Sequence, residues 1–208
     1  MATLVVALLA AVLGPVALAP SPAGAFDGVV SLTGGEPATG GTFAKVGEDW
    51  IGVVSGSAGL TDPAAAAVQR VVIRPDGSHT ATELWSEPEA WTWSTAIDDD
   101  GTLAFAYAKG ASRFLSAYGP TGTALFTDKA VADGSFLGFA DDGRIITVGY
   151  GTSGTQVSVY STSGSLQSTN PLPDVGQLYD VDVSANGVVV LGADGMAEVA
   201  TTGSVLRS

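Results

Sequence analysis

Carboxylates beside aromatic side chains are the residues of this sequence best suited to bind or transform a ligand. They fall in three groups, each in a segment between runs of alternating apolar residues. Aromatic rings offer stacking surfaces and carboxylates accept hydrogen bonds, which is the combination that a sugar or peptide groove needs. The sequence therefore predicts a ligand-binding surface made of Glu87, Glu89, Trp91, Trp93, Asp128, Asp133, Tyr179 and Asp180.

Two other interpretations of these residues stay open. Trp91 and Trp93 alternate with threonines, so they could instead form a strand whose large side chains pack in the core. Alternatively, two of the carboxylates could act as the acid and base of a glycan hydrolase or lyase. Such pairs lie about 5 to 9.5 Å apart in space, and sequence spacing does not identify one among Glu87, Glu89, Asp128, Asp133 and Asp180.

A second set of aspartates lies just before glycines. Asp98, Asp100 and Asp141 carry hard oxygen donors of the type that calcium prefers, and they are the candidates for a metal site. Aspartate before glycine is also ordinary turn chemistry, and the spacing does not match a calcium loop. His79 is the single histidine and cysteine is absent. We therefore assign no catalytic residue and expect no cofactor.

Two kinds of glycine turn recur along the chain and must position these side chains. The first turn occurs at Asp100-Gly101, Asp142-Gly143 and Asn186-Gly187, with a looser copy at Val46-Gly47. The second has four similar copies, PDGS, PTGT, TSGS and TTGS. Runs of alternating apolar and polar residues flank each turn, so every copy predicts two β-hairpins in series.

Four such copies predict an all-β fold. A repeat of about 40 to 45 residues with four short strands is the period of a β-propeller blade. We expect a domain over residues 26–208, with four-stranded blades near 42–85, 91–127, 135–168 and 177–208. The glycine turns should lie on one face of the disc, and the long middle loops and blade connections on the other. The predicted ligand-binding residues belong to this second face.

The predicted propeller leaves its closure open. The segment 26–33, FDGVVSLT, could supply the outer strand of the last blade and close a ring of four. Otherwise the blades form a partial propeller that further repeats or a second copy would complete, which predicts self-association. The segment 60–69, LTDPAAAAVQ, lengthens the first middle loop and is expected to form one short helix with Pro63 in its first turn.

The first 25 residues resemble a secretory signal. The run 4–19 is almost wholly apolar and is followed by Ala23-Gly24-Ala25, a site of the kind that signal peptidase cuts. A retained membrane anchor is the alternative, although the run is short for a membrane span. The net charge of −13 disfavours nucleic acid as a partner. We expect an acidic protein that is secreted or held at the cell surface.

Two segments resemble the β-propeller repeats of bacterial secreted proteins, of a loosely WD40-like kind. They are FADDGRIITVGYGTSGTQVSVYSTSGSLQ and DVSANGVVVLGADGMAEVATTGSVL, and the pattern extends over residues 42–207. No copy has the Trp-Asp or Gly-His pairs of true WD40 repeats. The resemblance implies a propeller that hosts enzymes, ligand binders or scaffolds alike. We expect a non-enzymatic binding or scaffold module for a protein or carbohydrate, with a carboxylate-based glycan hydrolase or lyase as the alternative.

Overall fold

The computed structural model describes most of the chain after residue 37. The described residues are 38–57, 66–131, 136–151, 154–172, 174–184, 187–200 and 204–207. The proposed signal sequence, the segment 26–33 and Asp133 lie outside these ranges. None of the described residues forms an apolar helix of membrane-spanning length.

The described residues form four antiparallel sheets of four strands each, and within every sheet the strands follow one another in chain order. Sheet one contains β1 (Ala38–Val46), β2 (Asp49–Ser57), β3 (Ala66–Ile73) and β4 (His79–Glu87). Sheet two contains β5 (Ala90–Ile97), β6 (Leu103–Lys109), β7 (Ser112–Tyr118) and β8 (Ala124–Ala130). Sheet three contains β9 (Phe136–Phe139), β10 (Ile145–Gly151), β11 (Gly154–Tyr160) and β12 (Leu166–Pro171). Sheet four contains β13 (Leu178–Ser184), β14 (Gly187–Gly192), β15 (Gly195–Val199) and β16 (Val205–Arg207).

The glycine turns that the sequence predicts join these strands. In the turn from β5 to β6, Asp98 N donates to Thr102 O at 2.7 Å and Gly101 N donates to Asp98 O at 2.9 Å. Gly101 has φ 88°, a left-handed conformation that glycine adopts without steric cost. The same pair of backbone bonds closes the turns at Gly77, Gly122, Gly143 and Gly164. One local chemistry therefore explains why the repeat is visible in the sequence.

Sheet two shows how the sheets stack. Leu103, Phe105 and Tyr107 point from β6 into a core shared with Val53 and Val68 of sheet one. The alternate residue Ala104 points the other way and packs with Ile145 of sheet three. The large face of β6 thus meets one neighbouring sheet and the small face the other, as its alternating pattern predicts.

Sheets three and four share the largest core cluster. Ile146 and Val148 of β10 pack against Val188 and Val190 of β14, and all four are almost fully buried. Together with the two cores described above, this contact joins the four sheets in chain order. The predicted all-β class with four-stranded sheets is confirmed.

Two expectations about the connections are wrong. Ala66–Gln69, the second part of the expected helix, belong to β3, where they pair with β2 and β4; the first part lies outside the described residues. The middle connections of sheets two and four are two-residue turns and not long loops, because Lys109 pairs with Ser112 and Gly192 with Gly195. In sheet three Gly151 pairs with Gly154, and the two residues between them lie outside the described ranges. The end of the sheets opposite the glycine turns is here called the connection face.

Sheet four differs from the others on the side away from sheet three. Leu191 of β14 is 47% exposed, and its cross-strand partner Met196 is also exposed. Val148 of β10 is the equivalent residue in sheet three, where it faces sheet four, and it is 1% exposed. The outermost described strand of sheet four is β16, from the last repeat itself, and the segment 26–33 lies outside the described residues.

Candidate functional site

Most of the predicted ligand-binding residues lie near the connection face, but they divide between two sheets. Glu87 and Asp128 lie with Tyr107 at the junction of sheets one and two, while Glu89, Trp91 and Trp93 lie in the turn before β5 and in β5 itself. Tyr179 and Asp180 lie at the start of β13 in sheet four. Asp133 is not among the described residues. The single groove that the sequence suggests is thus divided, and the larger group lies at sheet two.

Tyr107 of β6, which is not among the predicted ligand-binding residues, organises the acidic group at the junction of sheets one and two. The Tyr107 hydroxyl donates a hydrogen bond of 2.6 Å to Asp128 Oδ1, and Asp128 N donates to Ser116 Oγ at 3.1 Å. Burial raises the pKa of Tyr107, and the hydrogen bond to Asp128 and the charges of Asp128 and Glu87 raise it further. Tyr107 therefore stays protonated and acts as a fixed hydrogen-bond donor, not as a nucleophile.

Two basic side chains border the same group. Lys109 Nζ forms an ion pair with Glu87 Oε1 at the end of β6. The Arg113 guanidinium lies 4.8 Å from the centre of the Trp93 ring, within reach of a cation–π interaction. Exposed ion pairs contribute little to stability, on the order of 0 to 1 kcal/mol. Their effect here is to hold Glu87 and Trp93 in place at the rim of the surface.

The two tryptophans have different environments. Trp91 is 54% exposed, so the interpretation that both tryptophans are core residues is wrong for Trp91. Trp93 is half-buried, at a register irregularity of β5 between Thr92 and Ser94. Trp91 is therefore an accessible aromatic ring at this end of sheet two, and because it pairs with Ala108 it lies on the face of the sheet opposite to Tyr107.

Two members of the group have an unusual backbone. Glu89 has φ 59° and Asp128 has φ 56°, and within the described part of the chain they are the only residues other than glycine with positive φ. Left-handed backbone disfavours residues that carry a Cβ, and such residues concentrate at binding and catalytic sites. Glu89 lies with Pro88 in the two-residue turn from β4 to β5, two residues before Trp91 in the chain.

Replacing Glu89 tests whether this turn holds strain. We expect Glu89→Val to lower the free energy of unfolding by about 1 to 2 kcal/mol, because a β-branched residue fits left-handed backbone poorly. Glu89→Gly should change it by less than about 0.5 kcal/mol, since relief of strain offsets the greater freedom of the unfolded chain. Urea unfolding of both variants measures this. Equal losses would show that the glutamate side chain, and not the backbone, stabilises the turn.

The aspartates of the glycine turns have structural partners. Asp100 Oδ1 accepts a hydrogen bond from Thr102 N at 2.7 Å, and Asp98 Oδ1 accepts one from Asp99 N at 2.8 Å. Burial raises the pKa of Asp98, as do the charges of Asp100, Asp99 and Asp141. Among the residues that the structure describes, no three metal-binding side chains are grouped closely enough to hold an ion. Turn chemistry accounts for Asp98 and Asp100 without a metal.

Two cavities lie outside the group at sheet two. One, of about 660 Å³, is lined by the first strands of all four sheets, with Thr42 Oγ1 donating to Thr95 O at 2.9 Å across it. The other, of about 460 Å³, lies on the connection face between sheets three and four and is lined by Tyr150, Asp174 and Gln177, among others. No sequence motif predicts the latter cavity, because Gly149-Tyr150-Gly151 matches no nucleotide-binding motif.

Comparison with known proteins defines the architecture. No family model matches the chain, and no curated protein matches it. Among solved structures, a puromycin hydrolase superposes with a TM-score of 0.58 at 18% identity, over 82% of this chain and 28% of that one. The fold is a four-blade β-propeller. A prolyl endopeptidase gives a TM-score of 0.58 at 16% identity, over 82% of this chain and 26% of that one. A gluconolactonase from Xanthomonas campestris gives 0.55 at 18% identity, over 81% and 59%.

The propeller therefore spans between about a quarter and three fifths of the chains that it resembles. At these identities the likeness shows the fold alone. The four sheets described above are its blades, and the group around Tyr107 lies where the first two blades join.

Proposed function

We propose that the protein is a non-enzymatic binding propeller that recognises a protein or a carbohydrate at the connection face of blade two. The observation that carries the proposal is the 54% exposure of Trp91, which follows Glu89 by two residues at the connection face. Exposed aromatic rings next to fixed polar groups supply most of the affinity of binding surfaces. Asp128, which is held by Tyr107 and Ser116, adds an acceptor whose position is set before a ligand arrives.

Two properties of the chain support a binding role over a catalytic one. Tyr107 is kept protonated by burial and by Asp128, which removes it as a nucleophile. His79 is exposed at the start of β4, on the side of the glycine turns, so it lies at the opposite end of the blade from the proposed binding surface. We further propose that residues 1–25 act as an export signal and that the acidic protein works outside the cell, where a net charge of −13 favours basic partners.

Trp91→Ala should weaken ligand binding at least about 30-fold, the loss expected when an aromatic residue that contributes about 2 kcal/mol is removed. The ligand is to be found with a glycan array and with pull-downs from secreted proteins, and its affinity measured by calorimetry. Leu125→Ala is the matched control, because Leu125 is an exposed apolar residue of the same blade, on the side of the glycine turns. Blank screens together with turnover of a substrate would overturn the proposal.

A carboxylate-based hydrolase or lyase acting on extracellular glycans is the second candidate. Its support is that structures of similar fold are described as hydrolases. In addition, the charges of Glu87 and Asp128 both raise the pKa of Tyr107, so both carboxylates lie near this residue. Under this candidate, Glu87→Gln or Asp128→Asn abolishes turnover and leaves ligand affinity intact. The same screen, with products assayed beside binding, separates the two functions.

A further inference from the structure

We propose that the pocket between blades three and four is a second binding site, which takes a neutral pyranose sugar. Its volume of about 460 Å³ falls within the range of about 300 to 1,000 Å³ that is typical of small-molecule sites. Tyr150, Thr155, Leu172, Asp174 and Gln177 are among its lining residues. None of them belongs to the group around Trp91, so this site does not depend on the function proposed above.

The pocket is formed before any ligand binds. The described residues between β12 and β13, which are 172 and 174–177, form one wall. This wall is anchored to blade three by Leu172 N, which donates to Thr155 O at 2.8 Å. It is anchored to blade four by Asp194 N, which donates to Val175 O at 2.9 Å, and by Ala193 N, which donates to Gln177 O at 2.9 Å. A wall fixed to both blades costs a ligand little ordering of the protein.

Tyr150 supplies an aromatic surface in a fixed position. Its hydroxyl oxygen accepts a hydrogen bond of 2.8 Å from Leu178 N, which ties the far end of the ring to the start of β13. The residue is nevertheless 45% exposed. Because the hydroxyl is anchored and the ring remains accessible, the ring can stack against the apolar C–H face of a pyranose. Leu172 adds apolar surface to the same pocket.

The polar groups of the pocket favour an uncharged ligand rich in hydroxyl groups. Asp174 Oδ1 accepts a hydrogen bond from Gly176 N at 3.1 Å, which orients a carboxylate that is otherwise exposed. The Gln177 amide both donates and accepts hydrogen bonds, as sugar hydroxyls do. No lysine or arginine is among the described residues that line the pocket, so an anionic ligand would meet Asp174 without a counter-charge. An organic amine is the competing ligand, and the experiment includes it.

Saturation-transfer NMR on the full chain tests the site, with D-glucose, D-galactose, D-mannose and N-acetyl-D-glucosamine as sugar probes and ethanolamine as the amine probe. At least one sugar should bind with a Kd on the order of 1 mM, which corresponds to about −4 kcal/mol. Tyr150→Ala should weaken binding at least tenfold. Gln177→Ala should weaken it similarly, and because Gln177 is exposed this variant folds even if loss of the Tyr150 hydroxyl disturbs β13. Leu166→Ala, at an exposed position of the same blade, should leave binding unchanged.

Each alternative result overturns the proposal in a distinct way. Absence of transfer to every sugar would show that the pocket is not a sugar site. Binding of ethanolamine alone, lost in Asp174→Asn, would assign the pocket to amines. Loss of sugar binding in Trp91→Ala but not in Gln177→Ala would move the sugar to blade two. Failure to find a ligand for Trp91 leaves this inference standing.

Discussion

Phe105→Ala is expected to lower the free energy of unfolding by about 3 to 5 kcal/mol, the range for large aromatic residues in a packed core. Phe105 is 0% exposed, and its ring centre lies 5.4 Å from that of Trp85 and 5.9 Å from that of Tyr118. These neighbours cannot readily close the cavity, because the Tyr118 hydroxyl donates to Leu84 O at 3.0 Å and holds its ring across the blade interface. Urea unfolding followed by tryptophan fluorescence measures the loss.

Leu191→Ala is the matched control for this substitution. Leu191 is also a large apolar residue on the second strand of a blade, but 47% of its surface is exposed, so its truncation should change the free energy of unfolding by less than about 1 kcal/mol. Equal effects of the two substitutions would show that the face carrying Leu191 is covered in solution.

Gly192→Ala is expected to cost about 3 kcal/mol or more and to abolish ligand binding in the pocket between blades three and four. A Cβ at this position would lie 2.1 Å from the carbonyl oxygen of Val175 and 2.8 Å from its carbonyl carbon. These are backbone atoms, so no side-chain rotation relieves the overlap. The segment that forms the pocket wall must move away from blade four, with loss of the bond from Asp194 N to Val175 O.

Gly195 offers a control for Gly192 in the same hairpin. The two glycines pair across β14 and β15, yet a Cβ on Gly195 would meet no atom within 4 Å. Gly195→Ala should therefore change stability by less than about 0.5 kcal/mol and leave binding intact. Thermal unfolding and the sugar titration, applied to both variants, give the comparison. Tolerance of Gly192→Ala would mean that the pocket wall is not packed as described.

The fold could be predicted largely because its turns have a local chemistry. Five glycines with positive φ close turns whose backbone bonds involve only neighbouring residues, so the repeat appears in the sequence itself: Gly77, Gly101, Gly122, Gly143 and Gly164. The helix expected over residues 60–69 fails for the opposite reason. An Ala-rich run favours a helix, but Ala66–Gln69 gain strand partners on both sides from β2 and β4. Pairing between distant residues outweighs the local preference.

The candidate site could be predicted only in part. Glu87, Trp91 and Asp128 were selected by residue type and by their position between apolar runs, and the structure places them near one face. Tyr107 is not among the predicted site residues, because its alternation with alanines shows on which face of the strand its ring lies but not that its hydroxyl reaches Asp128. Tyr150 and Gln177 come together through the packing of two blades. Such contacts leave no periodic pattern in the sequence.

The exposed side of blade four is a surface on which a further blade can stack. Every blade presents the same register of residues to the blade that follows, and Leu191 and Met196 hold those positions with no described residue covering them. In repeat proteins each added unit contributes its own stability and one interface with its neighbour. A further sheet of the same pattern could therefore stack on blade four without any change to the first three. The repeat, and not the ring, is the modular unit of this architecture.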